Sequence, residues 1–193
     1  MLRRLYEWCK EQALRPYAMW VLAAVAFAES SFFPIPPHAL IVPMIVAAPA
    51  SAWRVATVAT LASVAGGAFG YLIGAMLWDS VGAWISELYG IEAQVEAFKA
   101  TYEEHGVAAV LIGGLTPFPY KVITILSGLT GLDFTTFMLA SLVSRGAIFF
   151  VMAALLWRFG EPIREFIEAR LGLVFTAGLA LLIGGFVVAK TVF

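Results

Sequence analysis

Charge is scarce in this chain: Asp, Glu, Lys and Arg make up 13% of it, hydrophobic residues 62%, and the mean hydropathy is +0.90. A soluble domain carries about 25% charged residues, so an ordinary water-soluble fold is excluded. Cysteine is nearly absent. The single Cys9 rules out an intrachain disulfide and gives no sign of an oxidising compartment. With two histidines there is no Cys/His cluster at zinc spacing, and neither a Walker-type phosphate loop nor a Gly-x-Ser-x-Gly elbow occurs. Asp79 and Glu87 lie on a watery face, where carboxylates are commonplace. No metal, cofactor or enzymatic activity is therefore expected, and a net charge of -1 offers no basic surface for nucleic acid.

What the chain has in abundance is uncharged sequence. Residues 17–53 carry only Glu29 and His38, 55–78 carry no charge, 106–132 carry only Lys121, 134–157 only Arg145, and 171–189 none. At about 1.5 Å per residue, 55–78 is long enough to cross a core of roughly 30 Å. Two other runs are broken by proline, at Phe33-Pro34-Ile35-Pro36-Pro37 and at Thr116-Pro117-Phe118-Pro119-Tyr120-Lys121. Proline removes a backbone donor, and carbonyls freed in hydrocarbon must be buried in protein or line a wet cavity. The pieces near 38–48 and 106–116 are about eleven residues long, short of the roughly twenty a span needs, which predicts re-entrant helices over hairpins that cross twice. Pro36 or Pro37 and Pro119 are placed to open new half-helices.

The pieces repeat. Leu2, Leu5, Tyr6, Cys9 and Ala13 share one helical face, as do Ile91, Val95, Phe98 and Tyr102, which predicts two amphipathic helices at the interface. Each leads into a broken segment and then into a full span. The expectation is one all-α integral membrane domain over 1–193: repeat 1 at about 2–78, repeat 2 at about 91–157, a further span at about 171–190, three full spans in all. If each broken segment returns to its own side, the second repeat is inverted. Short cytoplasmic loops collect Lys and Arg. Arg3, Arg4, Lys10, Arg15, Arg54, Arg158, Arg164 and Arg170 would share one side, against Lys99 and Lys190 on the other, which places the N-terminus in the cytoplasm. Trp8, Trp20, Trp53, Trp78, Trp84 and Trp157 fall mostly near span ends, as an interfacial belt should. The start also fits a signal peptide, with Arg3 to Arg15 basic, 17–25 apolar and Ala26-Phe27-Ala28 as cleavage site. Apolar character continuing past that cut argues against it.

Glu29, Lys121 and Arg145 stand where a charge costs about 2.5–3.5 kcal/mol, so they should be paired or face a cavity. One reading has Glu29 pairing with Lys121 or Arg145 and locking the halves together. The other makes the two cations and the acid an anion site, with Glu29 as the proton carrier and Lys121 and Arg145 contacting substrate. The second is favoured because helix starts after proline present free N–H groups that bind phosphate and carboxylate, often at the midplane of transporters. Gly66, Gly70 and Gly74, widened by Gly67, form a groove for close helix packing. His38 is more readily a satisfied polar residue than a relay.

The Glu29-x-x-x-x-Pro34-x-Pro36 element, the run Gly66-Gly67-Ala68-Phe69-Gly70-Tyr71, and Pro117-x-Pro119-Tyr120-Lys121 followed by Ser127-Gly128 and Arg145-Gly146 resemble the DedA superfamily, also called the VTT or SNARE-associated Golgi protein family. The likeness covers about 17–160. It implies a multi-pass protein of the bacterial inner membrane with paired re-entrant helices, whose partners are membrane lipids or lipid phosphates and protons. Gly114 and Tyr120 stand where better-described members carry arginines, which makes the chain more similar to the YqaA-type branch. The expected function is a transporter of a lipid or lipid-linked phosphate, coupled to protons. The alternatives are a proton-coupled carrier of a small soluble solute and a non-transporting membrane scaffold. The oligomeric state stays open, a homo-oligomer included. All of these readings need the two breaks to meet around one polar chamber.

Overall fold

Proline decides where the helices begin. In the computed structural model, which describes residues 17–32, 36–77, 92–116 and 119–169, α1 spans Ala18–Ser31 and α2 opens directly after Pro37, at His38–Ala47. A 3-10 turn, Pro49–Ser51, leads into α3, Ala52–Leu77. Next come α4, Glu92–Leu115, α5, which opens directly after Pro119 at Tyr120–Thr130, and α6, Phe134–Ala169. Every element among the described residues is helical. Two stretches, Pro49–Leu77 and Phe134–Gly160, are long and apolar enough to cross a membrane. By contrast α1, α2 and α5 have 14, 10 and 11 residues, each short of a span.

Two expectations need correction. The amphipathic stretch and the apolar piece that follows it are, from Glu92 to Leu115, one continuous helix, α4. No proline separates them, and Gly106 alone costs a helix only about 1 kcal/mol. The charge count puts Arg158 and Arg164 in a short loop, whereas 158–169 is helical: α6 continues to Ala169, bent at Phe159 (φ -122°, ψ 19°). Pro162 explains the bend, because its ring crowds the carbonyl four residues earlier, at Arg158, and it donates no hydrogen bond there. The amphipathic helix from Leu2 to Ala13, Pro34, Pro117, and the span at 171–190 lie outside the described residues.

Each long helix carries pieces of both halves. α1 packs on α3 as α4 packs on α6, while α5 packs on α3 as α2 packs on α6. One apolar core gathers Leu22, Ile41, Ile45, Val55 and Phe149, and a second gathers Tyr102, Val110, Tyr120, Ile123 and Phe137. Trp53 at the start of α3 stacks on Phe150 (6.2 Å) and meets Trp157 (6.1 Å). The exposed Arg54 and Arg158, each next to one of these tryptophans, therefore share one end of the bundle.

The glycine groove of α3 is used at backbone distance. A β-carbon on Gly66 would strike the carbonyl of Phe27, one on Gly70 the Thr124 hydroxyl and the Ser30 carbonyl, and one on Gly74 the carbonyl of Ile125. α5 answers in kind, since a β-carbon on Gly128 would strike the carbonyl of Tyr71. Gly67 differs: its nearest neighbours, Thr124 and Phe137 side chains, would stand at ordinary contact, 3.5 and 3.6 Å.

The α5–α6 corner is built from local signals. Gly131 takes a left-handed conformation (φ 76°), with its N–H on the Gly128 carbonyl (3.2 Å) and the Leu132 N–H on that of Ser127 (3.0 Å), a Schellman end. Asp133 then caps α6, accepting from both the backbone N–H and the hydroxyl of Thr136 at 2.7 Å. The hydroxyl first, then the amide, hold this exposed carboxyl below the usual aspartate range. A depressed folded pKa stabilises above the unfolded value and loses that contribution as pH falls through the folded one. Asp133→Asn is thus expected to flatten the acid limb of thermal stability below about pH 4, read from melting temperature against pH.

Candidate functional site

Polar side chains in an apolar bundle have to find one another. Among the described residues the buried polar set is Ser30, Ser31, Thr60, Ser63, Thr124, Ser127, Ser141, Ser144 and Arg145, and no buried side-chain nitrogen or oxygen lacks a partner. At the centre Arg145 Nη2 donates to Glu29 Oε2 at 2.9 Å. Its Nε donates to Ser63 Oγ at 2.7 Å. Ser30 donates to the same Glu29 oxygen (3.2 Å) and lies 2.7 Å from Ser63 Oγ. Ser30 spends its one hydrogen on Glu29, so Ser63 must donate to Ser30. The four residues close a hydrogen-bonded ring.

Aromatic faces complete the cage. The Arg145 guanidinium lies 4.8 Å from the Tyr120 ring centroid and 4.6 Å from that of Phe149. A desolvated cation over a ring gains about 2 kcal/mol, which offsets part of what burying Arg145 costs. Tyr120 is fixed by donating to Ser141 Oγ at 2.7 Å. His38 packs on the same Phe149 ring, centroids 5.7 Å apart. His38 and Tyr120 are the first residues after Pro37 and Pro119, so the two broken segments do meet at one cluster. Thr124 ties α5 to the end of α1 by donating to the Ser30 carbonyl (2.9 Å), and Ser31 ties α1 to α3 through the Gly66 carbonyl (2.9 Å).

Of the residues singled out from sequence, Glu29 and Arg145 are in contact, which resolves the choice of partner in favour of Arg145 over Lys121. Lys121 is only partly buried, and among the described residues its ammonium has no ion-pair partner. Pro36, Pro37 and Pro119 flank the cluster, and Gly66 and Gly70 lie along the seam beside Phe27 and Ser30. Ser30, Ser63, Tyr120 and Phe149 were not anticipated as site residues. Ser30 and Ser63 were visible as hydroxyls inside uncharged runs. Phe149 stands one helical turn from Arg145, the spacing at which side chains on a helix meet. Among the described residues no three His, Cys, Asp or Glu side chains stand together as a metal site.

The VTT domain family matches residues 33–158. An uncharacterised protein of Haemophilus influenzae is 35% identical over 175 residues, 87% of this chain and 87% of its own length. An uncharacterised protein of Histophilus somni is 33% identical over 168 residues, 85% of this chain and 87% of its own length. No solved structure matches the chain. The VTT match takes in both broken segments, the glycine groove and Arg145, and the chain belongs to the VTT domain, or DedA, family.

Proposed function

We propose that the chain is a transporter of the bacterial inner membrane that carries a lipid or lipid-linked phosphate, with Glu29 exchanging a proton during the cycle. The observation that carries the reading is the Glu29–Arg145 pair, a charged contact held where both proline-broken segments converge. Lys121, which has no ion-pair partner among the described residues, and the guanidinium together suit an anion. The reciprocal packing of short helices on the long helix of the other half supports an inverted repeat with re-entrant helices, and the shared end of Arg54 and Arg158 supports a cytoplasmic N-terminus.

In proteoliposomes loaded with a fluorescent lipid phosphate in one leaflet, the wild-type protein is expected to move the label across, faster under an imposed proton gradient. Arg145→Gln should reduce movement to the protein-free rate, and Glu29→Gln should abolish the response to the gradient. Transport by Glu29→Gln that still follows the gradient would remove Glu29 as proton carrier, and a label that never crosses would remove the lipid reading.

A further inference from the structure

Resting on the reading of this cluster as a transport site, we infer that the Glu29 carboxylate and the phosphate group of the cargo are rivals for one guanidinium: a phosphate anion engages Arg145 only together with a proton on Glu29. The geometry of the fork comes first. Nε and Nη2 form one edge of the guanidinium, the edge that grips a phosphate with two parallel hydrogen bonds. In this structure that edge is occupied, Nη2 by Glu29 and Nε by Ser63. The two faces are covered by Tyr120 and Phe149. An anion that grips this edge has to displace Glu29.

Charge then decides which combinations exist. With Glu29 ionised and no anion, the buried Glu29–Arg145 pair has no net charge; Lys121, only partly buried, is counted with the solvated charges. With Glu29 protonated and the anion on Arg145, the cluster is neutral again: the carboxyl has taken one proton from water, the guanidinium has kept its charge, and one negative group has replaced another. The two mixed combinations each leave an uncompensated charge in the interior, at a cost of several kcal/mol. Proton and anion therefore bind as a pair, since each removes the penalty the other would meet. Access fits this order, because the Glu29 side chain keeps 12% of its surface exposed against 4% for Arg145.

Among the described residues no neighbouring group is placed to replace Glu29 as counter-charge. α3 contributes Ser63 and α1 Ser30, neither of which ionises. α5 contributes Tyr120, whose hydroxyl is spent on Ser141, and Lys121, a second cation. α2 contributes His38, on the far ring of the cage, which in its charged form adds positive charge. Ser30 and Ser63 are positioning residues here: rotating their hydroxyls lets them follow the carboxyl or the phosphate without moving a helix.

The shared chemistry is a phosphate anion, from a lipid headgroup or free in solution. The test uses two phosphodiesters whose single charge does not change between pH 5 and pH 8, dimethyl phosphate and dioctanoyl phosphatidylglycerol, titrated into the full-length protein in detergent by calorimetry. Wild type should bind at least one of them at pH 5 and lose about tenfold in affinity per pH unit once Glu29 is charged. Calorimetry at pH 8 in buffers of different ionisation enthalpy should show close to one proton taken up per anion bound. Glu29→Gln should bind the same probe with no pH slope, and Arg145→Gln should bind neither. If Glu29→Gln proves unstable, the proton uptake of the wild type decides alone. A slope that persists in Glu29→Gln, binding without proton uptake, unchanged affinity in Arg145→Gln, or no binding of either probe at pH 5 would overturn the inference. Binding of the lipid probe only assigns the headgroup as the source, and binding of both assigns the phosphate group alone. If these binding results hold while lipid phosphate does not cross vesicles, the transport reading fails and the rivalry stands. If lipid crosses with a pH slope that survives in Glu29→Gln, the reverse is true.

Discussion

Arg145→Met is expected to lower the stability of the detergent-solubilised protein by about 3–5 kcal/mol, because it strands the Glu29 carboxylate among apolar walls with only Ser30 donating to it. For a chain of this length that is a fall in melting temperature of roughly 10 °C. The double variant Glu29→Leu with Arg145→Met should recover most of the loss, since two apolar side chains of similar bulk leave no charge to desolvate and the pair's attraction largely repays only its own burial. Transport should be absent from both variants. The comparison separates folding from function: a pair kept for stability would leave the double variant as unstable as the single one. Equal melting temperatures for the single and double variants would show that the pair, not the stranded charge, supplies the stability.

Gly74→Ala and Gly128→Ala are the next largest effects. Each adds one carbon at a point where α3 and α5 touch carbonyl to backbone, so there is no side chain whose rotation could make room. Overpacking of a core costs about 1–3 kcal/mol where side chains can yield, and here the helices themselves must separate, which places the expected loss at or above the top of that range. Gly67→Ala is the control on the same helix. Its β-carbon finds ordinary contact distances, and alanine is the better helix former by about 1 kcal/mol, so its melting temperature should match or exceed that of the wild type. A uniform response of Gly67, Gly74 and Gly128 to alanine would mean that helix propensity, not close approach, governs these positions.

How much of this was legible in the sequence depended on how local the signal was. Pro37 and Pro119 announced the starts of α2 and α5 because the effect of proline on its own backbone needs no tertiary context. Glu29 and Arg145 stood out because a charge in an uncharged run is costly wherever the chain goes. Their contact was not legible, since 17–53 and 134–157 are far apart in the chain and Lys121 was an equally good partner on charge alone. The continuity of α4 was missed because its first half is polar and its second apolar, so the periodicity changes while the hydrogen-bond ladder does not. The helical course of 158–169 was hidden for the opposite reason: charge density reads as loop, although charged residues favour helix once one face is wet. Tyr120 and Phe149 look like any aromatic residue in an apolar chain until the guanidinium between them is seen.

Gly66, Gly70 and Gly74 place α1 and α5 along a single stripe of α3, with main chain against main chain. The two breakpoints thereby run on a common rail. Such a contact has no rotamers to take up slack, so neither piece tilts by small degrees on its own; displacement is either shared by both or resisted by both. In the proposed transport cycle such packing would gear the two halves together, one setting the position of the other.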